Sequence, residues 1–514
     1  MKIQTICHCC SSGCSVEFNQ DETLGPGIEG IKGVVNSDGF VCLRAAKGFR
    51  HIDNPNRLTE PMLKTRMGFR RITFDEAFLL IEEHIKEVKP EENVFFAGAR
   101  LSNEELYLVQ KIARAAVGTN NLNSFHYLGR GEGYLFNSKA NIPFAEIQDT
   151  QVVYLFGDSL PVANPFVWHL VQQAKREQNV KIVWISQTWK GEIGNVADEK
   201  YMAHSLYSFL KLANRNLIES RRSDKLFSEE ICLDFSSYNE NLLAESIDLH
   251  LHQTGTSLAD IEGFVNTLVS SGKSAFIFAE EELSGNTCSE IRHMAMLTGK
   301  MGRIADGLIA IKESANSQGL IDMGIHPAYG QGGVDVDDEE FLQKTQTTWG
   351  VRKLPAKGTS DISTVLNASP RNLFILGEDP IGNALKDKEQ MASYISKAEF
   401  SVVQDFCLTP TAQLAELVLP ATYIFESGGT YTNSQKIIQQ VNRQVQSDVE
   451  MSGFEQLAAI AMRLGLSEMK SPVEAMLESV MLFPGACSHK QPRFVYSAED
   501  DALRIFKNGA LSFD

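Results

Sequence analysis

The chain has 514 residues, of which 43% are hydrophobic and 22% charged, a composition typical of soluble globular proteins. That length exceeds what a single hydrophobic core supports and predicts about two to four domains. No apolar run approaches the length of a membrane span, and the formal net charge of −17 disfavours a nucleic-acid partner, because phosphates would be repelled. An acidic surface is compatible with docking on other protein subunits.

The first residues of the chain carry no targeting signal. Neither a basic segment, an apolar segment nor a twin arginine precedes the first cysteine, Cys7. We therefore expect a cytoplasmic protein. The nine cysteines of the chain agree with a reducing compartment.

Four cysteines near the N-terminus have the spacing of an iron–sulfur site. Cys7, Cys10 and Cys14 follow the pattern C-x2-C-x3-C, and a fourth cysteine, Cys42, comes after 27 further residues. A cubane [4Fe–4S] cluster takes one thiolate at each iron, which suits a turn-rich loop with one distant ligand. Gly13, which lacks a Cβ, allows a tight turn within this loop. The four thiols are therefore the predicted ligands of a [4Fe–4S] cluster.

Other assignments of these cysteines are less favoured. A structural zinc site is the main alternative, although zinc sites more often show two paired knuckles and Cys42 stands alone. Disulfides are disfavoured because no secretory signal is present. Cys9 is expected to be a bystander, because the spacing selects its neighbour Cys10.

Two cations, Arg44 and Lys47, follow Cys42 closely. Positive charge beside a cluster stabilises its reduced, more negative form and tunes its potential. The alternative is that both side chains are only solvated, and the sequence leaves the two interpretations open.

The first predicted elements flank the cysteine loop and then give way to helices. Short strands are expected at Ile3–Ile6 and Ser15–Phe18. Thr73-Phe-Asp-Glu76 and Ser102-Asn-Glu-Glu105 are capping boxes, each of which predicts the start of a helix. The second of these helices is expected to stop at Gly118.

Short apolar runs then alternate with helical stretches along most of the chain. Such alternation predicts an α/β fold of parallel sheets covered on both faces, and ligands of such sheets bind at the carboxyl ends of the strands. The predicted strands are 93–97, Val152–Phe156, Val180–Ile185, Ser274–Phe278, Leu308–Ile311, Leu373–Leu376 and Ser401–Gln404.

Two strand ends resemble each other, namely Tyr154-Leu-Phe-Gly-Asp158 and Phe374-Ile-Leu-Gly-Glu378. A glycine at a strand end permits a sharp turn or the close approach of a ligand. Neither end is a G-x-G-x-x-G fingerprint and the chain has no phosphate-loop motif, so no NAD or FAD site is predicted.

Five further motifs follow one another in a fixed order along the chain. The first three are Lys47-Gly-Phe with Asn54-Pro-Asn-Arg-Leu-Thr59, then Ile72-Thr-Phe-Asp-Glu-Ala77, then Ala99-Arg100 with Gly118-Thr-Asn-Asn121. The fourth is Ala315-Asn-Ser-Gln-Gly-Leu-Ile-Asp-Met-Gly324, and the fifth runs from Val403-Gln-Asp405 through Glu426 to Gly429-Thr-Tyr-Thr-Asn433. Together with the cysteines they resemble the molybdopterin oxidoreductase superfamily. That family includes formate dehydrogenases and the large cluster-bearing subunit of respiratory complex I. Single motifs of this kind are weak, whereas five in the family's order are specific.

The resemblance implies a small N-terminal iron–sulfur domain followed by two doubly wound αβα domains. The predicted domains are 1–54 for the [4Fe–4S] domain, 55–135 with 336–450 for a discontinuous αβα domain, 136–335 for a second αβα domain, and 451–514 for a C-terminal helix and tail.

The sequence departs from the family at positions that matter for catalysis. Formate dehydrogenases place a Mo- or W-ligating cysteine or selenocysteine after the Gly-Thr-Asn-Asn segment, and here 124–133 contains no cysteine. His126, in this stretch, is expected to be a satisfied loop histidine rather than a catalytic substitute. Arg44 stands where formate dehydrogenases usually have lysine between cluster and pterin. We therefore expect no Mo/W-pterin and assign no catalytic residue.

The family's C-terminal β-rich domain is expected to be absent, because only 75 residues follow Gln439. They are predicted to form a helix near Gly453–Leu464 and an irregular tail with Pro484 and Pro492. The apolar side chains of residues 494–496 favour an arm that wraps a partner over a frayed end.

The resemblance then implies a non-catalytic electron-transfer and scaffold subunit of a cytoplasmic multi-subunit oxidoreductase. Its partners would be flavin- and NAD(P)-binding subunits or a ferredoxin. One alternative is a Mo/W-bis-pterin formate dehydrogenase-type catalytic subunit whose C-terminal domain is supplied by another chain. Another is a redox-sensing or purely structural subunit, in which the cluster only stabilises the N-terminal fold.

Overall fold

A computed structural model describes residues 2–19, 27–49, 52, 54–130, 134–135, 141–189, 191–382, 388–483 and 492–501. The strands in these ranges are β1 (Lys2–Ile6), β2 (Ser15–Asn19), β3 (Ile28–Gly30), β4 (Met62–Thr65), β5 (Gly68–Arg71), β6 (Asn93–Ala97), β7 (Leu122–Asn123), β8 (Val152–Phe156), β9 (Lys181–Ser186), β10 (Glu199–Met202), β11 (Ser274–Ala279), β12 (Gly307–Ile311), β13 (Asn372–Leu376), β14 (Phe400–Asp405), β15 (Leu417–Pro420), β16 (Gly429–Thr432) and β17 (Ile438–Val441).

Helices separate most of these strands. The α-helices are Leu43–Gly48, Phe74–Glu87, Asn103–Lys111, Leu160–Ala163, Pro165–Gln178, Leu206–Glu219, Phe235–Ala244, Ile247–Thr254, Leu258–Ser270, Gly285–Leu297, Ser317–Asp322, Glu339–Trp349, Ile362–Asn367, Lys388–Ser396, Ile424–Ser427, Gly453–Arg463 and Pro472–Leu482. Short 3-10 and π segments are Pro90–Glu92, Ile112–Val117, Phe144–Asp149, Glu192–Asn195, Leu226–Ile231 and Gln331–Gly333. None of the helices in the part of the chain that the structure describes is long and apolar enough to cross a membrane.

The chain divides into two compact units. Unit 1 comprises Met1–Gly129 and Ser314–Cys487, and unit 2 comprises Arg130–Glu313 with a C-terminal stretch that begins at Ser488. The sequence-based boundaries between the two αβα domains lay at 135/136 and 335/336. The residues of the predicted iron–sulfur domain fall within unit 1.

Unit 1 is built on a seven-stranded sheet in the order β5-β4-β15-β14-β13-β6-β7. Its strands from β15 to β7 run parallel, and β4 pairs antiparallel with both β15 and β5. The predicted strands 93–97, Leu373–Leu376 and Ser401–Gln404 are the central strands β6, β13 and β14. All their residues are buried, in agreement with the apolar runs of β6 and β13 and with the two central valines of β14.

Two smaller sheets complete unit 1. β1, β2 and β3 form a three-stranded antiparallel sheet, and β16 pairs antiparallel with β17. The predicted strands on both sides of the cysteine loop are therefore confirmed as β1 and β2.

Unit 2 contains a five-stranded parallel sheet in the order β10-β9-β8-β11-β12. Aromatic side chains fill its core, and the rings of Tyr154 and Phe276 stack with centroids 5.2 Å apart. Helices Leu206–Glu219 and Gly285–Leu297 contribute buried residues to the same core. The prediction of a mixed α/β fold with parallel sheets is confirmed.

Both predicted capping boxes are present. Thr73 Oγ1 accepts from Glu76 N at 3.2 Å, and the Glu76 carboxylate accepts from Thr73 N at 3.0 Å. Ser102 and Glu105 make the same reciprocal pair. Helix Asn103–Lys111 continues as a π-helical segment and ends at Gly118, whose φ of 83° is the left-handed conformation expected of a glycine cap.

The C-terminal region differs from the prediction in two ways. Helix Gly453–Arg463 is confirmed, but a second helix, Pro472–Leu482, replaces part of the expected irregular tail. Ser471 caps this helix and Pro472 occupies its first turn, so its start signals were present in the sequence. Pro484 lies outside the described residues.

The aromatic residues of the tail pack on their own chain. Phe494 is 2% exposed and its ring lies 5.0 Å from that of Tyr238 within unit 2. Leu233 N donates to Pro492 O, and Phe494 N donates to Leu233 O. The expectation that Phe494 serves a partner-wrapping arm is therefore wrong, because the core of unit 2 already buries this ring.

A candidate metal centre at the N-terminal cysteine loop

The loop between β1 and β2 carries three of the four predicted ligands. Cys7 N donates to Cys14 O at 2.8 Å, and Gly13 N donates to Cys10 O at 3.3 Å, so the loop is closed by its own backbone. Gly13 has a φ of 61°, a conformation that side chains disfavour. The side chains of Cys7, Cys10 and Cys14 are buried.

Cys42 approaches from a different element. It is the N-cap of helix Leu43–Gly48, and its Sγ accepts from Ala45 N at 3.4 Å. Its side chain is more exposed than those of the other three cysteines.

The four thiols influence one another electrostatically. Burial, followed by the charge of Cys7, raises the pKa of Cys10 to about 12. Burial, followed by the charges of Cys10 and Cys7, raises the pKa of Cys14 well above its usual range. Burial also raises the pKa of Cys42, and the charge of Cys7 adds to this effect. The charges of these thiols therefore raise one another's pKa, and a positively charged group would favour their thiolate forms.

Arg44 acts electrostatically on these thiols. Its charge lowers the pKa of Cys7, Cys10 and Cys42, against the effect of burial. Lys47 lies on the same helix with an exposed side chain. The structure therefore supports an influence of Arg44 on the cysteines, and the role of Lys47 stays a prediction.

Cys9 has surroundings of its own. Its Sγ lies 3.5 Å from Arg44 O, within hydrogen-bonding distance for a thiol donor. A Cβ on Gly48 would lie 2.1 Å from this sulfur, so the glycine makes room for it. A hydrogen bond with Cys9 is also the largest influence on the pKa of Cys7, which it raises. The Cys9 thiol therefore contacts the helix backbone and also interacts with Cys7, and its role as a bystander stays a prediction.

Within the described residues, no group of three or more histidine, cysteine, aspartate or glutamate side chains could hold a metal ion. A zinc ion requires its ligand atoms around a single point, whereas a cubane takes one thiolate at each of four corners. Three buried thiols on one loop and a fourth, Cys42, at the start of a separate helix are the donors that the sequence predicts for an iron–sulfur cluster. The four cysteines remain predicted ligands.

The hairpin of β16 and β17 makes hydrogen bonds to the backbone of the cysteine loop. Asn433 Nδ2 donates to Ser12 O at 3.0 Å, and Gln439 Nε2 donates to Gly13 O at 2.7 Å. Ser434 N donates to Ser11 O at 2.9 Å. Gln439 had no assigned role in the sequence, because no local pattern records a contact between residues 426 positions apart.

A polar network connects this hairpin to helix Asn103–Lys111. Glu104 accepts from Thr430 N at 2.8 Å and from Thr430 Oγ1 at 2.9 Å. Asn316 accepts from Thr432 N at 2.7 Å through its Oδ1. The motifs around residues 102, 316 and 430, which are distant in sequence, are therefore joined in one structural unit.

Charged residues also collect at the carboxyl ends of the unit 1 strands. Arg100, after β6, makes a two-point ion pair with Asp405, the last residue of β14, at 2.7 and 3.2 Å. Arg100 Nε also donates to Gly377 O at 3.1 Å. Burial raises the pKa of Glu378 well above its usual range, which favours the neutral acid. The charges at this strand edge are thus largely compensated by one another.

The stretch that departs from formate dehydrogenases lies beside this edge. Phe125 stacks on Phe96 with ring centroids 4.0 Å apart, and its backbone N–H donates to Glu378 at 3.3 Å. His126 Nε2 accepts from Ala99 N at 3.4 Å, as expected for a satisfied loop histidine. Gly129 has a φ of 75°. The stretch continues into residues 131–133, which lie outside the described residues.

These features define the class of protein. Parallel sheets in each unit and the motif network of unit 1 are those of an α/β protein, and residues 57–461 match the family described as "Molybdopterin oxidoreductase". The chain belongs to the molybdopterin oxidoreductase family, so the resemblance found in the sequence is confirmed.

Two curated relatives show which kind of protein this chain is similar to. A protein of Staphylococcus haemolyticus (strain JCSC1435) named "Putative formate dehydrogenase" is 26% identical over 507 residues, which cover 94% of this chain and 51% of that protein. A protein of the same name from Staphylococcus aureus (strain bovine RF122 / ET3-1) is 26% identical over 508 residues, with the same shares covered. This chain spans about half the length of the curated relatives it matches.

A solved structure shares the fold. The acetylene hydratase from Pelobacter acetylenicus superimposes with a TM-score of 0.69 at 16% identity, covering 93% of this chain and 72% of that chain. At this identity the match describes the architecture alone.

Proposed function

We propose that this chain is a non-catalytic iron–sulfur electron-transfer and scaffold subunit of a cytoplasmic multi-subunit oxidoreductase. Its proposed partners are flavin- and NAD(P)-binding subunits or a ferredoxin. The observation that carries the proposal is the C-x2-C-x3-C loop between β1 and β2, which is closed by its own backbone and buries Cys7, Cys10 and Cys14, together with Cys42 at the start of helix Leu43–Gly48.

The chain's own residues would hold and tune the cluster. A bound [4Fe–4S] cluster supplies one-electron transfer. The four cysteines would provide its thiolates, and the Arg44 guanidinium would offset part of their negative charge. The hairpin residues Asn433 and Gln439 hold the backbone of the cysteine loop in place.

The non-catalytic part of the proposal is supported at the Ser124–Gly129 segment. No thiolate is available between residues 124 and 133 to bind a soft metal. Phe125 and His126 make hydrogen bonds and stacking contacts within unit 1. The segment therefore packs against its neighbours in unit 1.

Metal analysis of the purified protein tests this proposal. We expect about four iron atoms per chain and no stoichiometric Mo or W. Stoichiometric Mo or W would contradict the non-catalytic role.

Paired cysteine variants test the ligand assignment. Cys10→Ser should lose most of the iron, because it removes one of the four thiolates. Cys9→Ser, one position away, should keep its iron, because the Cys9 thiol faces the helix backbone. Iron retained in Cys10→Ser and lost in Cys9→Ser would reverse the assignment of these two cysteines.

A second candidate function is favoured by the names of the relatives. In this alternative the chain is a Mo/W-bis-pterin formate dehydrogenase-type subunit whose C-terminal domain is supplied by another polypeptide. The metal would then need a non-thiolate ligand. Formate oxidation that depends on stoichiometric Mo or W would support this alternative over the electron-transfer role.

EPR spectroscopy distinguishes an electron-transferring cluster from a purely structural one. If the EPR spectrum of the purified complex does not change when its electron-donating subunit is reduced, electron transfer through this chain is excluded. A change that depends on Cys14 would support the relay.

A further inference from the structure

The sheet of unit 2 ends in a group of acidic side chains bound to its own backbone. β8 is followed by Gly157, which has a φ of 93°, and then by Asp158 and Ser159. The side chain that meets this turn comes from Glu282, shortly after β11. β8 and β11 are neighbouring parallel strands, so both segments leave the same edge of the sheet.

Three hydrogen-bond donors converge on the Glu282 carboxylate. Its Oε1 accepts from Asp158 N at 2.6 Å, and its Oε2 accepts from Ser159 N at 2.9 Å and from Ser159 Oγ at 2.6 Å. A Cβ on Gly157 would lie 2.4 Å from Glu282 Oε2, so only glycine permits this approach. The carboxylate therefore occupies a pocket of donors built by one turn.

A second carboxylate lies beside the first and is also bound. Asp158 accepts from Ser186 Oγ and from Thr188 Oγ1, each at 2.5 Å. Ser186 is the last residue of β9, so the donors of this neighbouring strand end also bind a carboxylate. The charge of Asp158, after burial, contributes to raising the pKa of Glu282, which is consistent with their proximity.

Successive backbone N–H groups in a turn form concave sites for anions. In open α/β sheets, ligands bind at the carboxyl ends of the strands, where such turns lie. Here a carboxylate fills the position after β8, and the nearby Asp158 adds further negative charge. A phosphate group would have to displace one carboxylate and approach another.

We propose that Glu282 acts as a built-in anion that excludes the phosphates of nucleotide-bearing ligands from the turn after β8. This inference rests on the proposed function, in which the chain has no nucleotide-bearing cofactor. It names the class of ligand that the turn rejects, namely organic diphosphates, and the residue that rejects them.

The test measures the binding of inorganic pyrophosphate and of guanosine diphosphate to the full-length protein by calorimetry. Wild type should bind neither probe measurably at millimolar concentration. Glu282→Ala should bind both at least tenfold more tightly than wild type, because the three donors become available to a phosphate. Tight binding by wild type, or no gain in Glu282→Ala, would overturn the inference.

A matched control removes the same charge elsewhere in unit 2. Glu262 lies on helix Leu258–Ser270, and its partly exposed carboxylate pairs with Arg222 at 3.0 Å. Glu262→Ala should bind the probes no better than wild type. A gain equal to that of Glu282→Ala would assign the effect to net charge and overturn the inference.

Two further variants keep the test decisive. Ser159→Ala, placed in the Glu282→Ala background, should weaken the gained binding because it removes the donor Oγ. If Glu282→Ala does not fold, Glu282→Gln, which retains side-chain length without the charge, carries the same expectation of gained binding. If Glu282→Gln also gains no binding, while the purified protein contains about four iron atoms per chain and no Mo or W, the role of Glu282 is rejected and the proposed function stands.

Discussion

At the scale of single residues, the predicted cluster site combines three buried thiols, the partly exposed Cys42 and the Arg44 guanidinium. Arg44 lowers the pKa of Cys10 and Cys42 although burial raises both. The sequence located this cation by its distance from Cys42. It did not separate Arg44 from Lys47, because the direction of a side chain depends on how the helix Leu43–Gly48 packs.

Arg44→Gln is predicted to make the cluster harder to reduce. Loss of a positive charge destabilises the more negative reduced form, so the reduction potential should fall by roughly tens of millivolts. A redox titration followed by EPR measures this shift. Lys47→Gln is the control and should leave the potential nearly unchanged, because its exposed charge is screened by solvent. Equal shifts in both variants would contradict the distinction.

His326 makes the stability of the protein depend on pH. Burial, followed by the charges of Arg114 and Lys357, lowers the pKa of His326 to about 3, and its Nδ1 accepts from Ala328 N at 3.1 Å. The unfolded chain, with an ordinary histidine pKa near 6.5, therefore binds the proton first. Stability from this residue is complete above pH 6.5 and falls toward pH 3, by about 1.4 kcal/mol per pH unit.

His326→Gln tests this dependence, because glutamine accepts a hydrogen bond but does not titrate. The free energy of unfolding of wild type should fall between pH 6.5 and pH 5 more steeply than that of the variant, by about 1 to 2 kcal/mol over this interval. Urea unfolding at several pH values provides the measurement. His252→Gln, at an exposed position, should behave as wild type. Parallel curves for wild type and His326→Gln would refute the role of His326.

At the scale of elements, the sequence predicted what depends on local spacing. The capping boxes at Thr73 and Ser102 place their partners three residues away, and both are present. The central strands β6, β8 and β13 are largely apolar runs because both faces of a parallel sheet are covered.

Contacts that join distant segments were not predicted. Nothing near Gln439 in sequence indicates its hydrogen bond to Gly13, and nothing near Glu282 indicates its bonds to Asp158 and Ser159. Helix Pro472–Leu482 was missed because its apolar residues do not all face a core. Val473 and Leu477 are among its exposed side chains, so its pattern does not show the usual buried stripe.

Gln439→Ala is predicted to loosen the cysteine loop without unfolding the sheets. The variant loses one hydrogen bond to the Gly13 carbonyl, worth about 1 kcal/mol. Iron release to a chelator should be roughly 5-fold faster than from wild type, since about 1 kcal/mol corresponds to that factor. The rise in absorbance of the iron–chelator complex reports the rate.

Gln440→Ala is the matched control, because the Gln440 side chain is exposed and donates to Asn442 Oδ1 at 3.3 Å. Its iron release should match that of wild type. Faster release from Gln440→Ala than from Gln439→Ala would show that the hairpin supports the loop through some other contact.

At the scale of the whole molecule, the cysteine loop and the sheets are stabilised by different interactions. Two buried cores of aromatic and aliphatic residues, one that includes Tyr154 and one that includes Phe96, contain none of the four cysteine ligands. The loop instead depends on hydrogen bonds to one hairpin and on the group its thiols would bind. Loss of a ligand should therefore be a local event.

Cys14→Ser tests this independence. Iron content and electron transfer should be lost, while the far-UV circular dichroism of the protein changes little. The main melting transition should shift by only a few degrees, because the hydrophobic cores are unchanged. An intact cluster in the variant, or collapse of the sheets, would contradict the expected separation of roles.

The hydrogen bond from Asn433 to Ser12 also constrains the order of events during biosynthesis. It joins residues 421 positions apart, and the ribosome releases the cysteine loop long before the hairpin that supports it. Because domains form from the N-terminus as the chain emerges, the thiols wait for most of translation without their structural support. If the loop binds the proposed cluster, delivery of iron and sulfide to the finished loop would be a late step, and until then the thiols would need protection from oxidation.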